Sequence, residues 1–342
     1  MPRVGRHPMK KGDGSSTPQM KTLSITTLVH IPETSGYWEE SLKVLDLCIS
    51  SIHEHTGKEF DLYVFDNGSC SEVKEYLLNQ QKIGRIQFLT FSQENVRKTG
   101  GLKSLLLQAE GDFVAYLDSD AYVLPGWLDK SVEILKTFND VGQVTAIPLA
   151  RNKIDMNPEL LKVEGCSNIS ISKGNNKIPE EFVKAHAKSI GVDYKVYCKD
   201  RLNNREDILI EKNKISAIMG SVDFQFTTTK TVINNIYQSD IDIPDLRGDD
   251  IYIPIWEYKM QNSGYLMLST NEYLVHHIGN KIPDFSKELP WLDLNTLSVV
   301  PTTIVPHTKN KTKKKNRILN STRLRRIIKR IHLWTYRFLY EK

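Results

Sequence analysis

The chain has 342 residues, with 46 Lys and Arg against 41 Asp and Glu, for a formal net charge of +5. That length makes one large domain or two ordinary ones, and 39% hydrophobic with 25% charged residues excludes a disordered or collagen-like chain. No apolar run reaches the roughly 18 residues of a spanning helix. The N-terminus also lacks the apolar stretch of about 7–15 residues that marks a secretory signal, so neither membrane insertion nor export by that route is expected.

The charge is unevenly spread. Residues 1–22 carry +4, residues 309–342 carry +12, and the body between them carries −11. The first 21 residues are rich in Pro, Gly, Ser and Lys/Arg and read as a disordered basic arm. Regular structure is expected from there on. Leu23–Ile31 is a β-branched run, and residues 38–55 place Leu42, Leu45, Cys48, Ile49 and Ile52 at helical spacing. Asp61–Phe65 is a second short strand, stopped by Asp66-Asn67-Gly68-Ser69, which has turn chemistry. A helix follows near 71–80, a strand at Ile86–Thr90 and a helix near Leu102–Ala109. The strand Phe113–Leu117 is apolar at every position, as in a central strand covered on both faces. Strands alternating with helices predict an α/β fold with a parallel sheet.

Residues 151–215 break this rhythm as a long polar insertion with one helix near 179–190. Strands are expected again at Ile215–Met219, Phe224–Thr228 and Tyr265–His276. The expected organisation is thus an arm (1–21), a first half (22–150), a second half (151–300) and a basic tail (309–342). The four cysteines stand far apart with no C-x-x-C pair, so buried free thiols are expected rather than a zinc or redox site.

The chemistry concentrates at strand ends. Asp118-Ser119-Asp120 follows directly on the all-apolar strand, and in an open parallel sheet ligands sit beyond the carboxyl ends of strands. Two carboxylates at i and i+2 there can approach one hard cation that bridges nucleotide phosphates. A bare D-x-D is a common chance pattern and on its own would be a solvated turn. Asp66 likewise ends a strand; it is read equally as an Asx-turn residue and as an acceptor for the N–H of a bound base.

The run from VFDNGS through EGDFVAYLDSDAYVLPGWL, with Asn95 and Gly100-Gly101 between, resembles the family 2 glycosyltransferases, inverting enzymes of the GT-A fold that carry a D-x-D motif. The resemblance is good over about 22–150 and looser to about 285. It implies a Rossmann-like GT-A fold: a mostly parallel central sheet flanked by helices. It also implies a nucleotide-sugar donor, UDP-linked by preference, bound by Asp66, Asn67, Asn95, Gly101, Asp118 and Asp120. Asp120 is the implied direct ligand of Mn²⁺ or Mg²⁺, with Asp118 beside it.

Arg247-Gly248-Asp249-Asp250 is similar to the family's acidic motif, in which one carboxylate takes the acceptor's proton; Asp250 matches that position, with Asp249 second. Read without the family, an Asp-Asp pair is more often helix capping. Val275-His276-His277-Ile278-Gly279 resembles the element whose histidine completes the metal site; His277 has the spacing, and His276 is expected on the opposite face of a strand.

The expected activity is transfer of a sugar, with inversion, to an acceptor hydroxyl of a glycan, lipid-linked or protein acceptor, as in cell-surface polysaccharide synthesis. A sugar nucleotidyltransferase would carry a Gly-rich basic loop after the first strand, where HIPETSGYWEE stands instead. A non-catalytic nucleotide-sugar-binding protein would have no need of all three acidic and histidine motifs, and a retaining transferase is a third alternative.

The tail sequence RLRRIIKRIHLWTYRFLY puts Leu324, Ile327, Ile328, Ile331, Trp334 and Phe338 on one helical side and basic residues on the other. It suits an anionic membrane surface, the enzyme's own core, or a second copy in a homodimer. No nucleic-acid motif accompanies the charge, so nucleic acid is not an expected partner. The expected location is the cytoplasm, peripheral to the inner face of the membrane.

Overall fold

A computed structural model describes residues 21–149, 162–166, 168–204, 206–239 and 255–297. The chain divides into two compact units, Met1–Thr303 and Ile304–Lys342, and the second, which holds the basic tail, lies outside the described residues. Residues 1–20 of the N-terminal arm and the Asp249–Asp250 pair lie outside them too.

The first half alternates strand and helix as expected. In chain order it runs β1 (Leu23–Val29), α1 (Ser41–His55), β2 (Asp61–Asn67), α2 (Ser71–Lys82), β3 (Phe88–Ser92), α3 (Arg97–Gln108) and β4 (Phe113–Asp118). Then come β5 (Ala121–Val123), α4 (Trp127–Thr137) and β6 (Val141–Thr145). β3, β2, β1 and β4 pair in parallel in that spatial order. Parallel neighbours need a crossover, and the helices supply it while covering both faces. Val114, Ala115, Tyr116 and Leu117 of β4 are all 1% exposed or less, which bears out its place as a covered central strand.

The second half completes the sheet. The polar insertion contains β7 (Ser170–Gly174), α5 (Glu180–Ser189), α6 (Tyr194–Asn204) and β8 (Asp207–Lys212); β9 (Ile215–Met219) and β10 (Gln225–Thr229) follow. β7, β8 and β9 form an antiparallel meander. α7 (Lys230–Gln238), α8 (Ile255–Asn262), β11 (Leu266–Ser269), β12 (Val275–His277) and the short α9 (Phe285–Glu288) end the described chain. The large sheet has the order β3-β2-β1-β4-β10-β6-β11-β9-β8-β7. Following the pairings, only β10, β9 and β7 run against the others, so the sheet is mostly parallel in direction, as expected.

Three elements differ from the sequence expectation. The helix expected from Leu102 begins at Arg97 and runs through Gly100-Gly101. A strand expected as one piece over 265–276 is two: β11 in the large sheet, and β12 in a separate two-stranded sheet with β5. The polar break at 151–215 is not a break in the sheet but its far edge. Of the cysteines only Cys48 is buried; all four are free thiols.

Core packing follows strand alternation. One face of the sheet packs Ile25, Val29, Ala115 and Leu117 against Val44, Leu45 and Cys48 of α1. The other packs Leu28, Val114 and Tyr116 against Leu102, Leu105 and Leu106 of α3 and Ile233 of α7. The carboxyl ends of β1, β2 and β4 therefore open between the starts of α1 and α3.

Candidate active site

A cavity of about 420 Å³ opens at these strand ends. Leu28, His30 and Ile31 line it from the end of β1, Asn67 from β2, and Asn95, Arg97 and Lys98 from the entry to α3. Asp118, Ser119 and Asp120 contribute the end of β4, and Trp38, Ser41, Gly279 and Asn280 close the remaining side.

β12 returns beside the acidic turn. It pairs antiparallel with β5, His277 opposite Ala121 and His276 opposite Tyr122, and Ile278 N–H donates to the Asp120 carbonyl at 2.7 Å. That register brings His277 Nε2 to 3.2 Å from Asp120 Oδ2. The other ring nitrogen, Nδ1, lies 3.2 Å from the Ser189 carbonyl at the end of α5. A carbonyl only accepts, so Nδ1 carries the hydrogen. Nε2 then faces a carboxylate with its lone pair, an arrangement that needs either a second proton or a cation between the two groups. Burial opposes charge on this ring, but the Asp120 carboxylate outweighs it and raises the His277 pKa above the usual histidine range. A separation of 3.2 Å is also that of adjacent donors on one hard cation with bonds of about 2.1–2.2 Å. Asp120 and His277 thus fit a divalent cation as a pair.

Asp118 does not join them. Its carboxylate accepts from Tyr116 Oη at 2.5 Å and from Lys98 Nζ at 2.9 Å. Among the described residues no group of three or more His, Cys, Asp or Glu side chains converges for a metal. Burial pushes the Asp118 carboxyl up to about 6, against the pull of Lys98. Lys98 also holds Asp223 Oδ2 at 3.1 Å, and with two carboxylates its ammonium stays charged despite burial.

The remaining expected residues divide. Asn67 and Asn95 line the cavity and lock its floor: Asn67 Nδ2 donates to Asn95 Oδ1 at 2.9 Å, and Val96 N–H donates to Asn67 Oδ1 at 2.8 Å. That clamp holds Arg97 in a left-handed conformation, φ 63°, at the start of α3. Asp66 is 0% exposed, accepts the Ser69 N–H at 3.2 Å, and does not line the cavity. The Ser69 bond is the contact that the turn reading of Asp66 implies. Gly101 does not line the cavity either. A Cβ there would fall 2.4 Å from Leu28 Cδ1, so the residue is glycine to let α3 close on β1. His276 is 0% exposed on the opposite face, between Tyr273 Oη and Glu288.

Sequence reasoning missed Lys98, Asp223, His30, Ser41 and Asn280. Lys98 had a signal, a basic residue three positions after Asn95. Asp223 had none, because it lies 125 positions from Lys98 and is brought near it by the long-range pairing of β10 with β4.

Residues 37–188 match the family model described as Glycosyl transferase family 2, somewhat less than half of the chain. Over those residues the chain is similar to that family. Solved structures with a similar course include S. aureus TarS 1-349, at 13% identity and a TM-score of 0.42 over 75% of this chain and 60% of that one. GalNAc-T7 with UDP, GalNAc and Mn2+ is similar at 13% identity, TM-score 0.45, over 75% of this chain and 43% of that one. The mannosyltransferase PcManGT from Pyrobaculum calidifontis, in complex with GDP-Man and Mn2+, has 11% identity and a TM-score of 0.44, over 80% and 60%. This chain thus spans about 60% of the length of the TarS structure it resembles. No curated protein matches the sequence.

Proposed function

We propose that the protein transfers a sugar from a nucleoside-diphosphate sugar, by preference a UDP-sugar, to an acceptor hydroxyl with inversion. The observation that carries this reading is the Asp120–His277 pair, of which Asp120 lines the cavity, with Nδ1 of the histidine already committed to Ser189. Asp120 and His277 are the residues to hold Mn²⁺ or Mg²⁺, which when bound would neutralise charge on the departing diphosphate.

The chain's own groups do the rest. Asn67 and Asn95 fix the cavity floor, so the nucleoside side is preorganised before ligand arrives. Lys98 keeps Asp118 ionised and pinned beside the donor; a rigid carboxylate there accepts hydroxyl hydrogen bonds without reorganising. Asp250, with Asp249 as alternate, serves as the base that takes the acceptor hydroxyl's proton, and both lie outside the described residues. The acceptor then attacks from the face opposite the diphosphate, with no covalent enzyme intermediate.

The acidic body and the basic ends divide the work. The tail at 309–342 docks on an anionic membrane surface, each basic residue near it contributing about 1 kcal/mol. The direct test of the reaction is to incubate the protein with UDP- and GDP-sugars, with and without Mn²⁺, and follow release of nucleoside diphosphate. Metal-dependent release from at least one donor is expected; none from any donor would overturn the reading.

A further inference from the structure

β12 has little to hold it in place by itself. It is three residues long, and among the described residues its ladder runs to β5 alone, in a two-stranded sheet. An isolated pair of short strands is marginally stable at best. The aim of His277 therefore depends on what else fixes this strand and the ring. Phe224 packs edge-on against the imidazole, 5.3 Å between centroids, and the Ser189 carbonyl at the end of α5 accepts from Nδ1 at 3.2 Å. β12 and α5 must thus keep a fixed spacing for Nε2 to face Asp120.

Glu288 joins those two elements. Its Oε2 accepts from Nε2 of His276, the neighbour of His277 on β12, at 3.0 Å. Its Oε1 lies 3.3 Å from the ammonium of Lys188, the neighbour of Ser189 on α5. Each carboxylate oxygen therefore holds the residue next to one that sets the His277 ring. The bond to His276 would serve the fold by itself; the bond to Lys188 adds the tie between the strand and the helix. The His276 side chain is 0% exposed and that of Glu288 15%, a withdrawal from water that a carboxylate accepts only with paired partners. Phe285 seats α9 for this task, packing against Tyr122 of β5 and against His276 at 4.9 and 5.7 Å between centroids.

We propose that Glu288 is a positioning residue for the Asp120–His277 pair: by bridging His276 and Lys188 it locks β12 to the end of α5, and so holds His277 aimed at Asp120 before any cation arrives. This rests on the reading of Asp120 and His277 as metal ligands. It adds to that reading a residue that acts only through its neighbours, a support that fixes a site's geometry in advance.

The test titrates Mn²⁺ in the presence of UDP, and in parallel of GDP, reading free Mn²⁺ by electron paramagnetic resonance. The variants are Glu288→Ala, which cuts both ties, and Lys188→Ala, which cuts the tie to α5 at a side chain 53% exposed and so keeps the test open if Glu288→Ala does not fold. Removing a group bonded to a metal ligand costs about 10–100-fold in metal affinity, and Glu288 stands one step further out, so a loss of about three- to tenfold is expected. Each variant is also made in a His277→Ala background, where neither should weaken Mn²⁺ any further, because the residue they aim is gone. Unchanged Mn²⁺ affinity in the variants overturns the proposal. So does an equal loss with and without His277, which would mark a general loosening that reaches Asp120. A wild type that binds no Mn²⁺ with either nucleotide overturns the metal reading and the proposal together, an outcome distinct from a wild type that binds and variants that match it.

Discussion

His277 meets Asp120 with the one ring nitrogen that remains after Nδ1 has gone to the Ser189 carbonyl. Asp118, two residues before Asp120, instead accepts from Tyr116 and Lys98, one bond to each oxygen. The two acids of the D-S-D turn therefore differ in kind, and so should their variants. Asp120→Ala and His277→Ala are each expected to weaken Mn²⁺ binding at least about tenfold, as loss of a ligand must exceed loss of an outer-shell partner. Asp118→Asn should change it much less; titration of Mn²⁺ in the presence of UDP reads all three. For Asp250→Asn, sugar transfer is expected to fall by at least about 100-fold, the contribution of a general base, with UDP affinity kept. Near-normal turnover would remove Asp250 from that role.

At the scale of elements, the site depends on two close fits. α3 can approach β1 only because Gly101 has no side chain to meet Leu28. Gly101→Val is expected to cost about 1–3 kcal/mol as overpacking. Leu28→Ala in the same chain should recover part of that, a non-additivity that urea unfolding of the double-mutant set would show. The second fit holds β12. Burial keeps His276 neutral, so it accepts from Tyr273 Oη at 2.9 Å and donates from Nε2 to Glu288 at 3.0 Å. Lys188 supports that carboxylate from α5, the helix whose last carbonyl orients His277. Glu288→Ala leaves a fully buried N–H unpaired, an expected loss of about 1–3 kcal/mol. Glu288→Gln keeps an acceptor oxygen and should lose less, again by denaturant unfolding.

For the whole molecule, the sum of charges is a poor guide, since a body at −11 is balanced by an arm at +4 and a tail at +12. Carboxylates gather where the sheet opens, and the positive surplus lies at the ends of the chain. Removing 309–342 is expected to abolish sedimentation with vesicles of anionic phospholipid and leave the protein in solution with unchanged donor hydrolysis. Loss of fold on truncation would mean that the tail packs on its own core instead. The covered strand β4, its D-S-D end and the alternation of the first half were legible in sequence because an all-apolar run and a 3.6-residue period report burial directly. Of the meander, β9 was expected at its observed bounds, Ile215–Met219, but β7 and β8 were not; β7, SISKG, reads as polar because it is an edge strand half open to solvent.

The sequence by itself determined the alternating α/β chain, the placing of Asp118 and Asp120 beyond a buried strand, and the opposite facing of His276 and His277. Strand period and local burial are properties of neighbours along the chain, so they are written there. Only the tertiary structure decided that Lys98 would hold Asp118 and Asp223 together, that Gly101 would let α3 close on β1, and that Ser41 and Asn280 would line one cavity. Those outcomes depend on pairings between segments tens to hundreds of residues apart, set by strand order and register rather than by local pattern.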